Sequence, residues 1–447
     1  MSRRVQYWMA LVMVFLSHGA WALDLKEAYE AALEQDAATN AARATAASGR
    51  EALPQARAQL LPAVSASLSR FKNKLNTVTP NSLGQLSDSS YDYPSSNSTL
   101  SIRQPVYRKY QWAQYGQAQA QVDEVNAVLD TELQNLAVKV SGAYFEALLA
   151  DDQLALIETQ LGAYRTQLDA ARKMFEAGAG TRTDIDEVQA RLDMSLAQEL
   201  EARQHVAWTR QQLQVLVNQP VEPLAKLVPA QLKLLPPDPG HLEHWIERAE
   251  QANPELRALR ARLQAATLEV EKASAGHYPT LDAVVQWTRS SSENIQSIES
   301  SNESRAIGLQ LNIPVFSGGG VNSAIRQALA GKERALQSLE AGRRDLGVRV
   351  YKEFRGVSEG VLRVRALEQA VKSAEQVLVS SQRAFQAGNR TRIDILNAEN
   401  SKMIALRDLA QARYVYLIAT LRLKALVEDA GAQSIAELNE VFGTRVR

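Results

Sequence analysis

The chain has 447 residues, no cysteine, 50 basic against 50 acidic side chains, five histidines and 6% aromatics. Balanced charge removes the electrostatic footprint of a nucleic-acid binder. Without cysteine there is no thiol catalysis, no disulfide scaffold, no zinc site built on Cys and no lipid-anchored N-terminal Cys. So few histidines and aromatics argue against a dense catalytic centre, so no enzyme, cofactor or metal is expected.

Arg3 and Arg4 precede an apolar run from Trp8 to Leu16, and Ala20, Trp21 and Ala22 give the small, any, small pattern of a cleavage site. Residues 1–22 therefore read as a signal peptide cut after Ala22. The run is shorter than the roughly 20 apolar residues that a spanning helix needs, and no later segment supplies them. An exported chain of this kind crosses a membrane only as part of a closed β-barrel, because open strand edges cannot be satisfied in lipid.

The remainder is written twice. Residues 175–185 lie 210 positions before residues 385–395, with seven of eleven identical. Pro105, Val106 and Tyr107 answer Pro314, Val315 and Phe316, and Leu61, Pro62, Ala63 and Val64 answer Tyr278, Pro279, Thr280 and Leu281. Three anchors in one order indicate an internal twofold repeat. The first repeat is 23–219, with strands about 62–72 and 98–106, a long helix about 107–174 and a helix about 184–217. A Pro-rich linker, 220–240, leads to the second repeat, 241–430. Its strands are about 279–289 and 305–315, its long helix about 319–384 and its last helix about 394–427, before a tail over 431–447.

Ile307, Leu309, Leu311 and Ile313 alternate with Gly308, Gln310 and Asn312, the period of a strand with two unlike faces. Val64, Ala66 and Leu68 alternate with serines in the same way, as do Leu281, Ala283, Val285 and Trp287 with Asp282 and Gln286. The polar stretches Asn76 to Ser98 and Thr288 to Arg305 read as solvent loops. Tyr107, Tyr278 and Phe316, at strand ends, suit either an aromatic girdle or core packing. Beyond Pro105 and Pro314 the period becomes helical, as in Leu346, Val350, Phe354, Val357, Val361 and Val364. Roughly 65 residues at 1.5 Å each make a rod of roughly 100 Å. Each returning helix is too short, by on the order of 30 residues. The helical stretches 37–57 and 254–274 supply that length.

Four strands cannot close a barrel alone, since the smallest membrane barrels use about eight. Two copies give eight strands and a filled interior. Three give twelve and room for passage, and three fits better. Cyclic symmetry also leaves no exposed sheet edge.

The signal sequence, the twofold repeat and three segments in fixed order together resemble the TolC family of outer-membrane channel-tunnels. The segments are 278–282, 311–319 and Ala-Gly-Asn-Arg-Thr-Arg-Ile-Asp-Ile over 387–395. The resemblance implies an α+β membrane protein: a homotrimer whose shared twelve-stranded barrel, four strands per chain, is continuous with a long α-helical periplasmic barrel. It implies a periplasmic adaptor and an inner-membrane ABC or proton-driven pump as partners, and export of proteins by type I secretion or efflux of small toxic compounds.

By the same resemblance Asp394 belongs to an acidic ring at the periplasmic tip, with Asn397 where the family often has a second acid. Arg390 matches an arginine that ties neighbouring hairpins, and Thr183 and Asp184 match its acceptors. Phe385 stands where a gate tyrosine often sits. Gly178 and Gly388, with Ala179 and Asn389, mark turns that meet the adaptor. Read from local chemistry alone, Asp184 and Asp394 are first-turn helix acids, and the two glycines supply left-handed helix ends. The rival to an export duct is a periplasmic coiled-coil scaffold without a pore, which has no use for four alternating segments.

Overall fold

The computed structural model describes residues 22–80, 82–221, 223–294, 297–427 and 431–443; the signal-peptide segment up to Trp21, Ala20 included, lies outside them. The chain divides into two compact units. One comprises residues 45–127 and 257–341, and the other residues up to 44, 128–256 and 342 onward.

The first unit contains the sheet. Strands β1 (Ala63–Pro80), β2 (Leu86–Tyr107), β3 (Thr280–Asn294) and β4 (Ser297–Asn312) pair antiparallel in sequence order. Register fixes its two faces, because residues directly opposite in an antiparallel ladder share a face. Val64, Ile102, Val285 and Ile307 form one row, with Ala66, Leu100 and Trp287 in the next. The opposite face carries Ser65, Ser101 and Gln286, then Ser67, Thr99, Thr288 and Ser304. The apolar face is uncovered: Ile307 is 86% and Leu68 83% exposed.

The segments read as polar loops are largely strand. β1 and β2 pair as far as Pro80 and Leu86, and β3 and β4 as far as Asn294 and Ser297. Polar composition misleads here because hydroxyls and amides bond across the ladder, as Asn73 Nδ2 does to Ser95 Oγ (2.8 Å) and Ser90 Oγ to Asn76 Oδ1 (2.7 Å). Pro105 lies within β2. It pairs with Asp282, and the missing N–H is absorbed by a register shift between Pro105 and Tyr107.

Besides the sheet the unit holds the last six residues of α2 (Ala37–Arg50), then α3 (Ala52–Ala58), the first part of α4 (Lys109–Glu176), α7 (Pro254–Ser274) after its first turn, and the start of α8 (Gly320–Gln386). The expected helix over 37–57 is thus broken at Glu51, whose side chain makes no cap bond. Small residues let these helices approach closely. A Cβ on Gly49 would lie 2.9 Å from Val125 Cγ2, so that helical glycine is set by α4.

The second unit packs α1 (Leu25–Gln35), the rest of α4, α5 (Arg182–Val217), α6 (Leu242–Ala252), the rest of α8, α9 (Arg392–Val427) and α10 (Ala432–Asn439). α5 and α9 are both 36 residues long, and α4 and α8 are 68 and 67. The tail is not featureless. α10 lies against α1, where Asn439 Oδ1 accepts from the Leu25 N–H (3.1 Å) and its Nδ2 donates to Asp24 (3.1 Å). Asp24 itself begins α1 with a reciprocal capping box to Glu27. Buried Tyr144 reaches the carbonyls of Leu23 and Ala225 (3.0 Å each), and its ring meets Phe442 edge-on. The chain start, the linker and the tail therefore close on one aromatic core.

Candidate gate at the helical hairpin turns

Two hairpins, α4–α5 and α8–α9, end in turns of the same build. After α4 the N–H of Ala179 donates to Met174 O (2.9 Å) and that of Gly178 to Phe175 O (3.0 Å). After α8, Asn389 donates to Ala384 O (2.8 Å) and Gly388 to Phe385 O (2.9 Å). This paired pattern satisfies the last carbonyls of each helix and needs a left-handed residue. Gly178 has φ 69° and Gly388 φ 77°. No atom stands within 4 Å of a Cβ at either position, so only backbone conformation demands glycine. Gly388→Ala should therefore lower stability by about 1–2 kcal/mol without a packing defect, measured by thermal melting beside Gly331→Ala, a helical glycine with open space around it.

Each turn then starts the next helix with a threonine and an acid three residues on. Asp184 Oδ2 accepts from the Thr181 N–H (3.0 Å) and hydroxyl (2.7 Å), and Thr181 Oγ1 accepts from the Asp184 N–H (3.2 Å). Asp394 Oδ2 accepts from the Thr391 N–H and hydroxyl, both at 2.9 Å. These bonds hold both carboxyls below the usual range. For Asp184 the Thr181 hydroxyl leads, with help from the charge of Arg392. For Asp394 the Thr391 N–H leads, with help from Arg390. The first-turn capping role is thus present at both acids.

The other expected residues divide. Arg390 Nη1 donates to Ser381 Oγ (3.3 Å) within its own hairpin, and Thr183 is exposed. Asn397 accepts from Arg191 Nη2 of α5 (3.0 Å), so it joins the two hairpins. Phe385 lies under a guanidinium that sequence reasoning passed over. Arg392 Cζ is 5.3 Å from the Phe385 ring centroid, and its Nη2 is 2.9 Å from Met174 Sδ on α4. Arg390 and Arg392 flank one threonine in the sequence, and nothing in that spacing says which crosses between hairpins.

Behind the turns, Leu396 of α9 is buried with Leu161, Tyr164, Leu168, Val188 and Leu192 of α4 and α5. Beside this cluster Gln167 Nε2 donates to Glu399 Oε2 (2.6 Å). Burial raises Glu399, with the Gln167 bond opposing. Gln167 Oε1 is buried without a partner, so a protonated carboxyl at Glu399 would satisfy it. A raised carboxyl favours the folded state below its unfolded pKa, and that stability is lost as pH rises through the folded value. Glu399→Gln supplies a donor at every pH. We expect it to raise the melting temperature at pH 7, by at most about 1 kcal/mol of stability, with little change near pH 4.

The model of the outer membrane efflux protein family matches residues 28–219 and 245–427. The chain belongs to the outer membrane efflux protein family. It is 32% identical over 440 residues to the alkaline protease secretion protein AprF of Pseudomonas aeruginosa, covering 97% of this chain and 91% of that protein. It is 29% identical over 444 residues to the proteases secretion protein PrtF of Dickeya chrysanthemi, covering 98% and 96%. It is 26% identical over 360 residues to the outer membrane protein TolC of Escherichia coli, covering 78% and 73%. The fold is that of solved outer-membrane channels. CmeC of Campylobacter jejuni superposes with a TM-score of 0.78 at 14% identity, covering 93% of this chain and 89% of that one. VceC of Vibrio cholerae gives 0.77 at 19%, covering 90% and 96%. As an outer membrane efflux protein the chain is a channel component, of a family of channels and not enzymes, placed in the outer membrane and extending into the periplasm.

Proposed function

We propose that three copies of this chain form one outer-membrane exit duct that passively conducts cargo handed over by an inner-membrane pump and a periplasmic adaptor. The observation that carries this reading is the sheet. It has four strands, one apolar and one small-polar face, and unpaired outer edges at β1 and β4. Such a sheet in lipid must close with others, apolar face outward and polar face inward. Twelve strands from three chains leave a passage, and the recurring helix lengths in the two half-chains support the twofold repeat behind it.

AprF and PrtF are named for protease secretion, and each matches nearly the whole chain, which favours protein export over efflux of small compounds. The turns around Gly178, Ala179, Gly388 and Asn389 are the surface offered to the adaptor. Asp394 with Asn397, and Arg390 facing Thr183 and Asp184 of a neighbouring copy, form the periplasmic gate. Arg392 adds a tie within each protomer, because Phe385 has no hydroxyl with which to make one.

Fractionation and secretion tests separate this from a scaffold. The duct requires a heat-modifiable trimer in outer-membrane extracts, and deletion of the gene should remove specific proteins from the medium. Recovery of the mature chain as a soluble periplasmic monomer would end the reading.

A further inference from the structure

We propose that the outward face of the sheet binds the phosphorylated glycolipid of the outer leaflet, through Arg70, Lys72 and Lys74 of β1 together with Arg289 of β3. This rests on the barrel reading above, which makes that face the lipid side. The three β1 cations occupy alternate positions and so point the same way, roughly 6.8 Å apart along the strand. They continue the row begun by Val64, Ala66 and Leu68. Arg289 stands opposite Ser98, which pairs with Leu68, one step below Arg70 on the same face.

Along this face the apolar rows end and cations begin. Trp287 and Arg305 share the boundary row, where an amphipathic indole suits a lipid headgroup level. The strands then run on toward the hairpin ends, the side that faces outward if the helices occupy the periplasm. On the described face the acids are Asp88, Asp92 and Glu303, opposite Val78, Lys74 and Arg289. Glu303 is already engaged: it accepts from Trp287 Nε1 (3.1 Å) and Arg305 Nε (3.0 Å). Among the described residues Arg70, Lys72 and Lys74 make no ion pair, and all three are exposed. A zwitterionic headgroup offers such a track a single phosphate whose charge its own ammonium offsets. A headgroup with two phosphates matches it, since clustered Lys and Arg bind phosphate through charge-assisted bonds and gain with each added anion.

The test uses the full-length trimer in detergent, titrated by native mass spectrometry with diphosphoryl lipid A and, separately, with phosphatidylethanolamine. The variant Arg70→Ser, Lys72→Ser, Lys74→Ser should bind lipid A at least about tenfold more weakly than the parent. Arg103→Ser removes one cation from the opposite face, where Arg103 pairs with Ala63 and Val284, and should bind lipid A like the parent. Three results would overturn the proposal: undiminished lipid A binding by the triple variant, equally tight phosphatidylethanolamine binding by the parent, or displacement of lipid A by millimolar inorganic phosphate. Trimer content and secretion are scored on the same preparations. Failure of the duct reading appears as loss of the parent trimer, whereas failure of the lipid site leaves the trimer intact.

Discussion

Val285→Arg is expected to abolish the outer-membrane trimer proposed above, whereas Gln286→Arg, one residue along, should leave it intact. Val285 sits in the apolar row between Ile102 and Ile307, and Gln286 faces Ser101 and Ala306 on the polar side. An arginine on the lipid face near the bilayer midplane costs about 2–4 kcal/mol. In the proposed trimer that cost applies three times, on the order of 10 kcal/mol, which is comparable to a whole domain's stability. An arginine on the lumen side stays in water and costs little. Semi-native electrophoresis of outer-membrane extracts, with and without heating, reads the outcome. Equal trimer yields for the two variants would mean that the faces are assigned wrongly or that the sheet never enters lipid.

The same alternation explains how far the sequence alone could be read. Apolar and polar residues alternate strictly only where the two faces of the sheet differ, so Val64 to Leu68 and Ile307 to Ile313 declared themselves as strand. Past Ser69 and Arg305, toward the hairpin ends, Arg70, Lys72 and Lys74 replace the apolar residues on their face and the pattern fades, although backbone pairing continues to Pro80 and Leu86. Tyr91 and Tyr93 alternating with Asp92 and Pro94 were the remaining strand signal there. Helices were more legible. Pro254 fixed the start of α7, and the Ala-Gly turns fixed the ends of α4 and α8 to within two residues. α10 was missed because eight residues seldom show a helical period, and its stability comes from contacts with α1 that only the folded chain brings together. At the turns, local chemistry was readable: glycines in the left-handed region and threonine-acid caps. Contacts between hairpins were not, since Arg191 with Asn397 and Gln167 with Glu399 join residues 206 and 232 positions apart.

Arg392→Ala should raise single-channel conductance more than any other single substitution at the turns. Its guanidinium covers Phe385 on α8 and reaches Met174 on α4, so it spans the two hairpins that would part if the proposed gate opens. A cation over an aromatic ring at a partly exposed site is worth about 1 kcal/mol. If three protomers open together, about 3 kcal/mol is lost, on the order of a hundredfold in the ratio of open to closed channels. Arg392→Lys should recover part of the effect, because an ammonium cannot both lie on the ring and extend to the sulfur. The pH response supplies an independent reading. Asp184 is held low by Thr181 first and by Arg392 in addition, so the stability it contributes is present above the unfolded pKa, about 3.9, and lost as pH falls through its folded value. Removing Arg392 moves that folded value up, and acid opening should begin at a higher pH than in the parent. Planar-bilayer recordings between pH 3 and 7 measure both effects (roughly the range over which a carboxyl titrates). A conductance and an acid profile that both match the parent would show that the hairpins are held together elsewhere, with the Leu396 cluster the next contact to break.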